Sequence, residues 1–371
     1  MFSEVDLDGG FVLAEQTCPA ILAAFREEVR IDESDMLGDY VLRQLFADYL
    51  TPTVGLKLQA NQVMITGGSS TAALNLAFLC SSVTSDRSNY KREILMFSPM
   101  WFGYQSIIGK LRIPMRRVET TEADGFKPTP GSLRKALDKN VAAFVINNFA
   151  TPTGAMLSCE DLAELAAVLR DFPHVTVIED ALFLANSFSD NFPSILKVAP
   201  WLLGEGRYVG TTSLSKGWAV NADLVGFMWG DSRKMEILAE LALAMNKCPN
   251  GRKMFAARAA FTAEGLKTPL KVRQAVNANL CALNDSLEYV GDMWHLAIQP
   301  EGGTNAFLDV RHSGMEGLDF VKLLRHRTGL EFAEGEAFSA PGHVRINLAG
   351  AHPGVFRHVV CQRLEGFLQT I

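Results

Sequence analysis

The sequence predicts an α/β protein in two parts: a large domain with a mostly parallel sheet flanked by helices, and a smaller α+β domain. Three observations carry this. Through the middle of the chain, short apolar runs alternate with longer helical patterns, and each run stops at a turn. The last third changes character and reads as alternating strands around a helix. The length of 371 residues, 48% hydrophobic and 20% charged, is ample for more than one core.

The elements follow in order. Val63-Met64-Ile65-Thr66 is a strand ending at Gly67-Gly68, and Thr71 to Cys80 continues as a helix. Ile94-Leu95-Met96-Phe97 is the next strand and ends at Ser98-Pro99. Ala142 to Ile146 ends at Asn147-Asn148, Leu162 to Leu169 is helical, and Val175 to Ile178 is a strand. Arg207-Tyr208-Val209-Gly210 and Leu224-Val225-Gly226-Phe227-Met228 are two further strands. A helix runs from about Ser232 to Met245. Cys248-Pro249-Asn250-Gly251 breaks it, and a long helical region follows to about Trp294. Asn305 to Val310 and His343 to Leu348 are strands of the smaller domain with a helix between them, and Val355 to Gln369 closes as a helix. Residues 46–250 are expected to form the large domain. In sheets of this kind, ligands gather at the carboxyl ends of the strands, so the loops there are searched for chemistry.

Composition excludes several classes of function. The net charge is −6 with no run of lysine or arginine, which argues against nucleic acid or an anionic membrane as partner. Six cysteines (Cys18, Cys80, Cys159, Cys248, Cys281, Cys361) are scattered, with neither zinc spacing nor a disulfide framework. Reduced thiols in a cytoplasmic protein are the simplest reading, and no metal is expected. The acidic segment Met1 to Asp6 lacks a signal peptide's cationic start. No apolar stretch is long enough to span a bilayer.

The densest chemical signal is Thr211-Thr212-Ser213-Leu214-Ser215-Lys216-Gly217-Trp218, where one lysine follows a strand between hydroxyls and a glycine. Such a lysine can carry a carbonyl cofactor as a Schiff base. Asp180 lies 216 − 180 = 36 residues upstream, at the end of Val175-Thr176-Val177-Ile178-Glu179-Asp180. On its own, an aspartate there is also a common helix cap. Gly68-Ser69-Ser70-Thr71 follows a strand and opens a helix, where backbone N–H groups and hydroxyls attract phosphate; a plain Ser/Thr cap has the same appearance. Further marks are Pro99-Met100-Trp101-Phe102-Gly103-Tyr104, Asn147-Asn148-Phe149-Ala150-Thr151-Pro152-Thr153-Gly154 and Val344-Arg345-Ile346-Asn347-Leu348.

This ordered set resembles the fold-type-I pyridoxal phosphate (PLP) enzymes, specifically the class I/II aminotransferases related to aspartate aminotransferase. The resemblance runs from about Leu37 to the C-terminus; Leu37-Gly38-Asp39-Tyr40-Val41-Leu42-Arg43 looks like the family's glycine followed by its first Leu-Arg helix. It implies that residues 1–45 join 251–371 in the small domain. It makes Lys216 the Schiff-base lysine and Asp180 the partner of the pyridine nitrogen. Ser69, Ser70, Thr71, Ser213 and Ser215 become the phosphate cradle. Trp101 is expected to stack on the ring, and Arg345 to hold the substrate carboxylate through paired hydrogen bonds. The resemblance also implies a homodimer with shared active sites.

Three family positions differ. The asparagine that donates to the cofactor's phenolic oxygen falls on Thr151, so the expected replacement is either the Thr151 hydroxyl, in part, or Asn148 reaching in from three residues back. The tyrosine three residues after the aspartate falls on Phe183. The phosphate-binding arginine falls on Leu224. The expected function is a PLP enzyme acting on an α-amino acid, an aminotransferase by default. The alternative is a lyase or cyclase acting at the β or γ carbon. A regulator carrying an aminotransferase-like domain would add a basic DNA-binding module, absent here, and a dinucleotide-binding oxidoreductase would need a G-x-G-x-x-G turn that Gly67-Gly68-Ser69-Ser70 does not supply.

Overall fold

The computed structural model describes residues 5–6, 19–24, 35–82, 92–189, 191–220, 225–245, 250–291 and 293–371. Its first strand is β1 (Val5–Asp6). A seven-stranded sheet follows, made of β2 (Val63–Gly67), β3 (Glu93–Ser98), β4 (Met115–Glu119), β5 (Val141–Asn147), β6 (Thr176–Asp180), β7 (Tyr208–Ser213) and β8 (Val225–Gly230). The spatial order is β2-β8-β7-β6-β5-β3-β4. Every pairing is parallel except the two made by β8, so β2 and β7 run the same way. The strand expected from Leu224 is β8, beginning at Val225 among the described residues.

Central strands of such a sheet are covered on both faces, which is why β7 and β8 are buried along their whole length. The sequence reading missed β4. Its Met-Arg-Arg-Val-Glu has no buried residue and lies at the sheet edge, so it lacks the apolar signature of the other strands.

One apolar core on the sheet contains Phe46, Phe144, Phe227 and Trp229. A second contains Met64, Phe78, Tyr104 and Met228. The smaller unit carries a four-stranded antiparallel sheet of β9 (Leu296–Ile298), β10 (Asn305–Asp309), β12 (Ala333–Glu334) and β13 (His343–Asn347), ordered β12-β13-β10-β9. Between β10 and β12 in sequence lies β11 (Leu330–Glu331), which pairs in parallel with β1. The core of this unit holds Leu280, Leu308, Phe320, Val344 and Phe356.

Packing shifts the expected domain limits. Leu42 belongs to the large core, and so do Met254, Ala257 and Ala260. The large core therefore extends on both sides of 46–250, and in the C-terminal part the small core begins at Val272. The long helical region expected up to Trp294 is split into Gly251–Ala257, a 3-10 turn Arg258–Phe261, and the helix Lys267–Val290. No helix of the described residues is long and apolar enough to cross a membrane.

Polar contacts tie the two units together. Arg311 ion-pairs with Asp309 of its own unit and Glu122 of the large one. The Met100 N–H donates to the Phe338 carbonyl. Glu122, His295 and Asp309 bring ligand atoms within 4.8 Å of one another, with the Arg311 guanidinium already placed against both acids.

Candidate active site

The sheet sets out the site from left to right. β2, β7, β6 and β5 end on one edge, and the segments leaving them are Gly68–Thr71, Leu214–Gly217, the turn after Asp180, and Asn147–Thr151. A cavity of about 650 Å³ lies over this edge and is lined also by Thr304, Asn305, Arg345 and Asn347 of the smaller unit. Lys216 and Arg345 are the cationic side chains among its described lining residues.

Asp180 ends β6. Alternation along the strand turns Glu179 the other way, into a closed network with the Ser194 hydroxyl, the Ile195 N–H and the Tyr208 hydroxyl. Asp180 instead faces the cavity. The Tyr104 hydroxyl donates to its Oδ2 at 2.6 Å, and the Leu182 N–H reaches Oδ1 at 3.3 Å. Burial pushes the Asp180 carboxyl up to about 6, against the downward pull of those two donors. The same burial and the adjoining carboxylate drive the Tyr104 phenol well above its usual range, so it stays a donor.

Lys216 lies in the short helix Leu214–Gly217, which Ser213 caps at its start. The helix is anchored by the Trp218 indole N–H, which donates to the Ala260 carbonyl at 3.0 Å. Burial pulls the Lys216 amine down to about 8, and the Arg345 guanidinium adds to the shift. An amine in that range is neutral often enough near pH 8 to act as nucleophile or base.

The expected phosphate cradle is assembled from two loops. Gly68 and Ser69 both have positive φ, 121° and 67°, which folds the backbone sharply into the helix Ser69–Ser82. Ser69 and Ser215, far apart in sequence, meet through their hydroxyl oxygens at 3.2 Å. Gly226 permits the approach, because a Cβ there would lie 2.4 Å from the Ser69 carbonyl oxygen. Helix-start N–H groups and converging hydroxyls form a donor set suited to a phosphate.

Trp101 walls one side, edge-on to Tyr104 with centroids 5.3 Å apart. Its ring folds over Gly103, where a Cβ would be only 2.3 Å from the indole. Arg345 is carried by β13 opposite Phe307 of β10, and its guanidinium lies over the Phe338 ring at 5.1 Å.

The structure brings together Ser69, Ser70, Thr71, Trp101, Thr151, Asp180, Ser215, Lys216 and Arg345 around one cavity, with Phe183 beside them. It removes two candidates from the wall. Ser213 caps the lysine helix from beneath, its hydroxyl accepting from the Ser215 N–H. Asn148 is fully buried elsewhere, and its amide holds Leu157 and the Pro193 carbonyl. It cannot stand in for an amide at Thr151. Leu224 lies outside the described residues.

Sequence reasoning missed Tyr104, Asn147, Leu182, Thr304, Asn305 and Asn347. Two had a usable signal. Tyr104 follows Trp101 by three residues at a helix start, one turn on, and Asn347 follows Arg345 by two on a strand, which is the same face. Asn147 is paired with Asp180 across β5 and β6, and Asn305 with Asn347 across β10 and β13. Those registers are set by the fold and leave no mark in the local sequence.

The sequence model of the family "Aminotransferase class I and II" matches residues 5–363. Among characterised proteins, the aspartate/prephenate aminotransferase of Nitrosomonas europaea is 23% identical over 359 residues, covering 93% of this chain and 86% of that protein. The arginine–pyruvate transaminase of Pseudomonas aeruginosa is 28% identical over 328 residues, covering 86% of this chain and 79% of that one. Among solved structures, the maleate-bound aspartate aminotransferase of Thermus thermophilus superposes with a TM-score of 0.82 at 20% identity, over 98% of this chain and 92% of that chain. An aminotransferase from Mycobacterium tuberculosis does so with a TM-score of 0.83 at 23% identity, over 96% and 88%. The chain belongs to the class I and II aminotransferase family, and its fold is that of the aspartate aminotransferases.

Proposed function

We propose that this family member holds PLP in the cavity over the sheet edge and transfers the amino group of an α-amino acid to a keto acid. The observation that carries the reading is the convergence of an amine, a carboxylate and a guanidinium on one cavity: Lys216, Asp180 and Arg345. The donor set fits the cofactor. Asp180 is a buried carboxylate raised to about 6, an environment that a cationic pyridinium nitrogen would relieve. Ser69, Ser70, Thr71 and Ser215 suit its phosphate, and Trp101 offers an aromatic face for the ring.

When bound, PLP supplies the electron sink that makes the substrate's α-proton labile. The chain's own residues do the rest. Arg345 orients the substrate by holding its α-carboxylate with two parallel hydrogen bonds. Lys216 would hold the cofactor through its Nζ, and the same amine is placed to take and return the substrate's α-proton. Asp180, held by Tyr104, would pair with the ring nitrogen and favour its protonated form.

This reading also takes the protein to be a cytoplasmic homodimer with shared active sites. Family membership supports that assembly, as does the exposed apolar run Met36, Tyr40 and Val41 at the start of the helix Tyr40–Val54. Purified protein given PLP is expected to develop a visible band that borohydride fixes on Lys216, located by peptide mass. With an α-amino acid and a keto acid it should exchange the amino group. Release of a side-chain fragment without exchange would point to a lyase or cyclase instead, and a protein that takes up no PLP would remove the assignment.

A further inference from the structure

We propose that Asn305 and Thr151 act as a single donor toward the phenolic oxygen of PLP, with Asn305 fixing the direction of the Thr151 hydroxyl. This rests on the reading that the cavity holds PLP.

The position of that oxygen follows from the strand order and the chemistry of the ring. In PLP the ring nitrogen lies opposite the carbon that bears the carbonyl group, and the phosphate arm and phenolic oxygen flank that carbon on opposite sides. Asp180, the candidate partner of the nitrogen, ends β6. The hydroxyls of Ser69 and Ser215 follow β2 and β7, both on one side of β6. Asn147 and Thr151 follow β5, on the other side. A ring with its phosphate on the Ser69–Ser215 side therefore turns its phenolic oxygen toward Thr151.

The hydrogen bonds around Thr151 then decide what it offers. The Asn147 amide bridges strand and loop: its Nδ2 donates to the Asp180 carbonyl at 3.0 Å, and its Oδ1 accepts from the Thr151 N–H at 3.1 Å. Thr151 is thus held at a fixed place relative to Asp180. Asn305, reaching across from β10 of the other unit, donates from Nδ2 to the Thr151 Oγ1 at 3.2 Å. An amide nitrogen cannot accept, so this contact uses a lone pair of the hydroxyl and leaves its proton free to turn elsewhere. The Thr151 hydroxyl makes no other hydrogen bond among the described residues, and both residues are largely buried and line the cavity. The proton is thereby aimed at the space the phenolic oxygen would fill. Phe183, which also lines the cavity and borders Gly303 two residues before Asn305, offers only carbon. The donor is built from two units of the molecule.

A donor to the phenolic oxygen draws off its negative charge and weakens its hold on the proton of the nitrogen that links Lys216 to the cofactor. Removing the donor raises that nitrogen's pKa. The test is a pH titration of the visible band of the PLP-loaded protein. In Asn305→Ala, Asn305→Asp and Thr151→Val, the midpoint is expected to rise by about one pH unit, a tenfold change in proton affinity. Asn305→Asp is isosteric and makes the 305 side chain an acceptor that draws the Thr151 proton away, so it should move at least as far as the alanine variant. Thr151→Ser keeps the hydroxyl and should stay near the parent. The double variant Asn305→Ala/Thr151→Val should shift no further than Thr151→Val alone.

Midpoints unchanged in PLP-loaded Asn305 variants would overturn the proposal, and additive shifts would show two separate contacts rather than one donor. Absence of any visible band in the parent protein would instead bring down the PLP reading itself.

Discussion

Two carboxyl groups one residue apart meet opposite treatment. Glu179 is completely buried and points into a pocket where Tyr208, Ser194 and the Ile195 N–H all donate to it. Asp180 is nearly as buried, yet it has one short donor, Tyr104, and an open cavity in front of it. Burial raises both carboxyls. The Glu179 network is complete within the chain, so that residue serves the fold by pinning the segment at Ser194 to the strand. Asp180 instead faces the cavity, where the proposed function sets the ring nitrogen. Strand alternation produces the contrast: the same peptide presents one acid to the core and the next to the cavity.

Swapping the two effects is the sharpest test of that contrast and carries the largest expected change. Asp180→Asn should cut amino-group transfer by about a thousandfold, ~4 kcal/mol of transition-state stabilisation. It should nevertheless stabilise the cofactor-free protein at pH 7. A carboxyl whose pKa is raised by folding weakens the fold as pH climbs from its unfolded value through about 6. The asparagine abolishes that loss, by at most about 3 kcal/mol. Glu179→Ala should do the reverse, destabilising by about 3 kcal/mol through the donors it orphans while folded protein keeps its turnover within about tenfold. Urea unfolding of the cofactor-free proteins and single-turnover rates of the loaded ones read both effects. Loss of turnover in folded Glu179→Ala, with Asp180→Asn active, would reverse the assignment.

The same contrast explains what could be read from the sequence. The strands of the large sheet were legible because parallel strands buried on both faces are continuous apolar runs, as in Val141 to Asn147. Lys216, Asp180, Trp101 and Arg345 were legible because each lies in a local motif at a strand end or on a strand. Asn148 was misread for want of a third dimension. Two adjacent asparagines stand at the end of β5, Asn147 its last residue and Asn148 just beyond, and which of them faces the cavity depends on the pairing of Asn147 with Asp180. Asn305 had no local signal at all, since its meaning comes from Thr151 on another unit.

The second prediction concerns Lys216, whose partner in the comparison is the solvated majority of lysines. Its amine is held down to about 8, chiefly by burial. The neutral form attacks a carbonyl and the protonated form does not. The rate of PLP capture by cofactor-free protein should therefore rise about tenfold per pH unit below 8 and level off above it. Arg345→Gln removes the neighbouring positive charge and should move the inflection upward. Stopped-flow absorbance across pH 6.5–9.5, a range of about three units that brackets the Lys216 value, checks both. A rate still climbing steadily beyond pH 9.5 would mean that the amine is not depressed.

The smallest effect is expected at Tyr104, the one side chain that donates to Asp180 among the described residues. It plays for Asp180 the part that Tyr208 plays for Glu179, with the Leu182 N–H as the other donor. Tyr104→Phe leaves the ring and its edge-on contact with Trp101 while deleting the hydroxyl. The carboxyl then loses a donor that favours its charged form, so its pKa in the cofactor-free protein should rise further above about 6. Once a pyridinium nitrogen is in place, its charge dominates the Asp180 environment, and turnover should fall only about three- to tenfold, ~1 kcal/mol, the worth of one hydrogen bond to a charged group. The loss should be greatest at low pH, where the variant's carboxyl is more readily protonated and cofactor binding is weakened first. PLP affinity measured from pH 5.5 to 8, an interval of roughly two and a half units around the Asp180 value, would show this as a widening gap between variant and parent toward acid. A gap independent of pH would mean that Tyr104 acts on Trp101 and the cavity wall rather than on the carboxylate.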